Sequence, residues 1–108
     1  MIMPETTPTF VCLVGQKYTT GLSNCRIDIQ QGSFLIQKYF VDSSVVINPD
    51  MGTIMVTLTQ EETSHFNVRE KLRVQIHGLM ADGTAWKTCI SNYKIGETIT
   101  NDILTPIE

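Results

Sequence analysis

The sequence predicts an all-β fold, an antiparallel sandwich of about seven strands carrying one short helical turn near residues 60–66. Three observations predict it. Apolar residues recur in short runs, several alternating strictly with polar ones. The runs are separated by compact Gly, Asn, Asp and Pro turns. Only Thr59 to about Phe66 carries helix signals, too few residues for a second layer. At 108 residues the chain suits one core, expected as an extended N-terminal segment 1–8, a single sandwich domain 9–104 and a tail 105–108.

Pro8 sets an extended entry, and the first strand runs from Thr9 to Val14 until Gly15 breaks it. In "NCRIDIQ", Cys25, Ile27 and Ile29 alternate with Arg26, Asp28 and Gln30, which predicts a strand with one buried and one wet face. After turn residues Gln31 to Ser33, the next strand places Phe34, Ile36 and Lys38 on one face and Leu35, Gln37 and Tyr39 on the other. The pattern alone does not say which face is inside.

"SVVINPDMGTIMVTL" reads as a hairpin with Asn48 to Met51 as a four-residue loop, so Ile47 is expected opposite Gly52 and Val45 opposite Ile54. Ile54, Val56 and Leu58 then point inward and Thr53, Met55 and Thr57 outward, with Met55 the misfit. In "KLRVQIHGLMADGTAWKTCISN" a two-residue Asp82-Gly83 turn would split the apolar set between faces. A three-residue loop, Ala81-Asp82-Gly83 with Gly83 left-handed, keeps Leu72, Val74, Ile76, Trp86 and Ile90 together. It predicts the pairs Val74 with Ile90, Ile76 with Thr88 and Gly78 with Trp86, the glycine leaving room for the indole. Arg73, Gln75, His77, Lys87 and Cys89 fall on the wetter face. A last short strand and a docked end are expected from Ile95, Ile99, Ile103 and Leu104.

The apolar fraction of 42% and charged fraction of 18% are those of an ordinary globule, so disorder is not expected. A net charge of −3 with scattered basic residues offers no stripe for a phosphate backbone, and no nucleic-acid partner is expected. No apolar run approaches the roughly 18 to 20 residues of a membrane span, and "MIMPETTPTF" lacks the regions of a signal peptide, so synthesis in a cytoplasm and no membrane partner are expected. Cys12, Cys25 and Cys89 show neither a disulfide framework nor zinc spacing and read as unpaired thiols.

Glu61, Glu62 and His65 are the densest group of titratable residues. Thr59-Gln60-Glu61-Glu62 fits a capping box, in which the Thr59 hydroxyl accepts from the Glu62 N–H and the Glu62 carboxylate accepts from the Thr59 N–H. Acidic residues also suit the positive end of a helical turn. Leu58 and Phe66 can fold down onto the core, and His65 lies four residues from Glu61, within reach of a surface pair. Acid–base catalysis needs a cleft and divergent pKa values, and a metal needs three or four converging ligands. A His65/His77 metal site and a hydrolase built on Glu61, Glu62 and His65 are the alternatives, and the expectation is no catalytic residue, no metal and no cofactor. Nucleophile signatures and phosphate loops are absent, and "ADGT" lacks the other acids of a calcium loop. Trp86 is expected in the core.

The ordered set "TTPTF", "GTIMVTLTQEET", "VQIHGLMADGTAW" and "IGETITNDIL" resembles the small β-sandwich virion structural proteins of tailed bacteriophages and prophages of Gram-positive bacteria. The matching positions are Thr6 to Thr9, Leu58 to Thr63, Val74 to Ile76, Asp82 to Ala85 and Ile95 to Ile103; residues 15–50 match only in style. The resemblance implies an immunoglobulin-like, non-enzymatic component of a phage tail, baseplate, connector or capsid exterior. It implies localisation in the virion and contacts with other phage structural proteins and further copies of itself, through an edge strand, the segment Met1 to Pro8, or both. Deleting that segment is then expected to leave a folded monomer excluded from particles. The alternative is a module at a tail tip or capsid surface that binds a host glycan or receptor, motivated by Phe34, Tyr39, Phe40 and Tyr93.

Overall fold

The computed structural model describes residues 2, 4, 6–67 and 69–96. In these, strands β1 (Thr9–Leu13), β2 (Leu22–Gln31), β3 (Phe34–Tyr39), β4 (Val45–Asn48), β5 (Thr53–Thr57), β6 (Leu72–Met80), β7 (Ala85–Lys87) and β8 (Ser91–Tyr93) are joined by two short helices, α1 (Gln16–Thr19) and α2 (Gln60–Ser64). One sheet has the order β1-β5-β4; the other has the order β3-β2-β6-β7, with β8 also on β6. All strand pairs are antiparallel. The two sheets pack face to face as an all-β sandwich. Ile27, Ile29, Leu72 and Ile76 from one sheet meet Ile54, Val56 and Leu58 from the other, all essentially without solvent contact.

Strand β2 buries Cys25, Ile27 and Ile29, as its alternation predicts. It continues one residue into the expected turn. Gln31 is buried in the strand, opposite Phe34 across a two-residue Gly32-Ser33 turn. Its amide is fully occupied: Nε2 donates to the carbonyls of Asn67 and Glu70, both at 2.8 Å, and Oε1 accepts from Asn67 N–H at 2.9 Å. A buried amide is tolerated because these bonds replace those lost to water. In β3 the inner face is the Phe34, Ile36, Lys38 set, with Ile36 buried and Leu35, Gln37 and Tyr39 exposed.

The β4-β5 hairpin keeps the predicted faces but not the predicted pairs. Ile47 lies opposite Ile54 and Val45 opposite Val56, so the loop is Pro49 to Gly52 rather than Asn48 to Met51. Asn48 stays in the strand, where its Oδ1 accepts from Met51 N–H at 3.3 Å, and Gly52 takes the positive φ that closes the turn. The slip is of two residues, and an even slip leaves every side chain on its own face.

The β6-β7 connection is the three-residue Ala81-Asp82-Gly83 loop, with Gly83 left-handed and Gly78 opposite Trp86. Beyond it the expected register fails. Thr88 N–H donates to Ile76 O at 2.9 Å, while Ile76 N–H turns to the Thr88 hydroxyl at 3.0 Å instead of a carbonyl. That substitution shifts the ladder by one residue, so Val74 meets Ser91 rather than Ile90. Ile90 is thereby 43% exposed, where the sequence predicts it inside.

Helix α1 was not predicted. It forms where Gly15 ends β1, and the Thr19 hydroxyl donates back to Gly15 O at 3.1 Å. Four residues are too few for a helical period to show. At the chain's other end Ile95 is buried and bridges Ile2 in parallel, Ile2 N–H donating to Lys94 O (2.8 Å) and Gly96 N–H to Ile2 O (2.7 Å). The expected contributions of Ile99, Ile103 and Leu104, and the tail 105–108, lie outside the described residues. Among the described residues no helix is long and apolar enough to cross a membrane.

Candidate functional site

The cluster around Glu61, Glu62 and His65 is a capped turn. Thr59 Oγ1 accepts from Glu62 N–H at 3.1 Å, and Glu62 Oε1 accepts from Thr59 N–H at 2.9 Å, which completes the capping box. The other Glu62 oxygen accepts from Lys38 Nζ at 2.8 Å, a contact absent from the sequence reading. It ties the turn after β5 to β3 of the facing sheet and so closes that end of the sandwich. Partial burial pushes the Glu62 carboxyl up, but the Lys38 ammonium and the Thr59 N–H outweigh it and hold it below the usual carboxylate range. Such a group is held ionised, the opposite of what a general acid at neutral pH requires.

His65 does not pair with Glu61. Its ring lies against Phe34, with centroids 4.8 Å apart, and Phe34 in turn meets Phe66 edge-on. His77 lies on the outer face of the five-stranded sheet, its Nε2 3.3 Å from Asp28 Oδ2. The two histidines are therefore not brought together, and among the described residues no group of three or more metal-ligating side chains is.

Asp28 is the centre of a polar cluster on that outer face. Arg26 Nη2 donates to its Oδ2 at 3.2 Å and Gln37 Nε2 to its Oδ1 at 3.2 Å, while the Tyr39 hydroxyl donates to Gln37 Oε1 at 3.2 Å. Beside it lies an open depression of about 330 Å³ whose lining includes Asp28, Gln30, Gln37 and Arg73 together with the apolar Leu35 and Ile90. Of the four aromatics considered for ligand stacking, Tyr39 is the exposed one. Phe34 and Phe40 pack on the core, and Tyr93 meets Phe10 edge-on at 4.9 Å. Trp86 is partly buried: its ring packs under Gly78 and near Tyr18, and Nε1 donates to Met80 Sδ at 3.3 Å.

All three cysteines are free. Burial pushes the Cys25 thiol up to about 11 and raises Cys12 as well, which keeps both protonated and poorly nucleophilic at neutral pH. Cys89 is exposed, but beyond the shift at Thr88 it borders the hollow shared with Val74 and Ile76, not the outer face on which the expected register places it.

The three-stranded sheet carries the feature the sequence reading missed. Its outer face presents Val11 (60% exposed), Leu13 (77%) and Val46 (48%). Val11 and Val46 flank Met55 directly across β5, so the one misfit of the alternation lies in a continuous apolar row. In β1 both faces are apolar, Phe10 inward and Val11 and Leu13 outward. The signal was available: a domain of this size cannot bury both faces of an edge strand.

Strand β1 is also an edge. Leu58 N–H donates to Pro8 O and Val14 N–H to Gly52 O, which fixes the phase of the β1-β5 ladder. Antiparallel alternation then turns the backbone groups of Thr9, Val11 and Leu13 away from β5. Among the described residues no strand pairs with that side. A hollow of about 300 Å³ runs beside it, between Val11 to Val14 and the facing edge at Thr88, Cys89 and Ser91. No protein-family model matches the sequence, and comparison with curated proteins finds no match.

Proposed function

We propose that the chain is a non-enzymatic structural component of a bacteriophage particle, in its tail, baseplate, connector or capsid exterior, acting through protein–protein contacts in a symmetric assembly. The observation that carries the contact role is the Val11, Met55, Val46 row and the edge beside it, with which no strand pairs among the described residues. Exposed apolar rows and open strand edges favour association, and natural domains that stay monomeric blunt them with charges or prolines. The phage context rests on the resemblance of the Thr6 to Thr9, Leu58 to Thr63 and Asp82 to Ala85 motifs. The first two of these motifs meet in the fold. Thr63 Oγ1 donates to Thr6 O at 2.8 Å and accepts from Thr6 N–H at 3.0 Å, which joins those motifs physically.

The test is a mass-spectrometric count of this chain in purified particles of the phage or induced prophage that encodes it. A fixed copy number matching a symmetry of the particle is expected, and absence from particles overturns the proposal. Val46→Lys should fold normally and reduce incorporation, because it alters only an exposed member of the row.

A second reading, binding of a host glycan, is supported by the exposed Tyr39 ring and the amide, carboxylate and guanidinium groups around the depression at Asp28. Tyr39→Ala protein, compared with the native chain on a glycan array in oligomerised form, tests it. Equal silence of both counts against it.

A further inference from the structure

The exposed edges of the sandwich are not equivalent. Strand β3 carries Lys38. The β7-β8 edge is broken by the register shift at Thr88 to Ile90 and carries Lys87. Strand β4 is four residues long and runs straight into Pro49. Each has one of the devices that block edge-to-edge pairing. Strand β1, Thr-Phe-Val-Cys-Leu, has no charge, no proline and no bulge along its five residues.

Its outward backbone groups belong to Thr9, Val11 and Leu13, alternate residues spaced evenly about Val11. A strand of this kind is complementary to itself. Placed antiparallel against a second copy with the two-fold axis at Val11, it sets Val11 opposite Val11 and Thr9 opposite Leu13 in both directions. All three residues of each strand then exchange N–H and C=O with the other. Shifting the register by one pair in either direction leaves one of the three residues on each strand unmatched. No like charges meet on the axis, the usual penalty when an edge strand pairs with its own copy. The apolar row Val46, Met55, Val11 continues across the axis into the same row of the second copy.

We infer that β1 pairs with β1 of a second copy of this chain, making one six-stranded sheet from two three-stranded ones. This rests on the reading of the chain as an assembly component and specifies the partner, the strand and the register. The interface is isologous, so it closes as a dimer and leaves other faces for neighbouring proteins.

The experiment uses the full chain in a Cys89→Ser background, because Cys89 is exposed. Val11→Cys should give a disulfide-linked dimer on mild oxidation, since residues opposite each other in a hydrogen-bonded pair have a Cα separation of roughly 5.5 Å, within disulfide reach. Met51→Cys, exposed in the β4-β5 loop, should not cross-link comparably. In sedimentation runs the native chain should move from monomer to dimer with concentration, whereas folded Val11→Lys should stay monomeric. The amides of Val11 and Leu13 should exchange quickly in the dilute chain and slow on dimerisation. Cross-linking no greater at Val11→Cys than at Met51→Cys overturns the inference. So does slow exchange at every concentration, which would mean the chain's own residues cover the edge. If cross-linking fails while the chain is found at fixed copy number in particles, the pairing falls and the structural role stands; a dimer of a chain absent from particles is the reverse.

Discussion

Thr59 and Glu62 show how a local signal can be read correctly and still understate what a residue does. The capping box is confined to four consecutive positions, so its chemistry is written in the sequence. Thr59→Ala should cost about 0.5–2 kcal/mol in chemical denaturation through loss of the cap. The Lys38 ammonium ties β3 to helix α2, and no local pattern announces it: Lys38 merely occupies the third position of a strand face whose burial the alternation leaves open. With that partner the Glu62 pKa is depressed on folding. A depressed carboxylate contributes stability above its unfolded pKa and loses it as pH falls through the folded value. The stability advantage of the native chain over Glu62→Gln should therefore be full at neutral pH and shrink once the pH drops below the usual carboxylate range. Urea melts of both proteins across that range check it; a constant difference would show that the charge contributes nothing. Glu61, which faces solvent, should tolerate Gln with no change.

At the scale of elements, side-chain parity made the sheets legible. The Ala81-Asp82-Gly83 loop followed from asking which turn length keeps Leu72, Val74, Ile76 and Trp86 together, and it carried the placement of Gly78 against the indole. A Cβ at position 78 would collide with the Trp86 ring. Gly78→Ala should accordingly destabilise by about 1–3 kcal/mol through overpacking, with a shift in tryptophan fluorescence as the ring is displaced. Unchanged emission and stability would mean that the indole moves freely. The same parity argument failed at Ile90 because a Thr88 hydroxyl stands in for a backbone acceptor, an exchange that alternation cannot reveal. Cys89 and Cys25 test the result from two sides: with the protein native, a thiol reagent should label Cys89 rapidly and Cys25 only at the rate of unfolding. Equal rates would contradict the register. Helix α1 and the Pro49 to Gly52 loop escaped for a related reason, being set by contacts a few residues long that carry no period.

Over the whole molecule, the sandwich followed from strand count and turn spacing, whereas the exposed apolar row of Val11, Met55 and Val46 did not. Faces are assigned by contrast between apolar and polar residues, and β1 offers none. The N-terminal segment illustrates what only the assembled chain can show. Ile2 is 6% exposed and its backbone is bonded to Lys94 and Gly96, far along the sequence; Thr6 is held by the buried Thr63. Deleting Met1 to Pro8 would remove a core side chain and leave Thr63 without its bonds to Thr6, so loss of incorporation by that variant would not identify a docking arm. A shorter deletion, residues 1–4, removes Ile2 with its backbone bonds and leaves Thr6 on Thr63. Fully burying an isoleucine is worth about 1.5–3 kcal/mol, an upper figure because unfolded chains already bury some apolar surface. The deletion should lower stability by up to that amount in urea, with a single cooperative transition retained, since the sheets and their central residues are untouched. Ile2→Thr in the full chain should lose a comparable share, as it alters the side chain while keeping the backbone bonds. If neither variant loses stability, Ile2 is not working as core, and the longer deletion becomes a fair test of a contact made by the N-terminus.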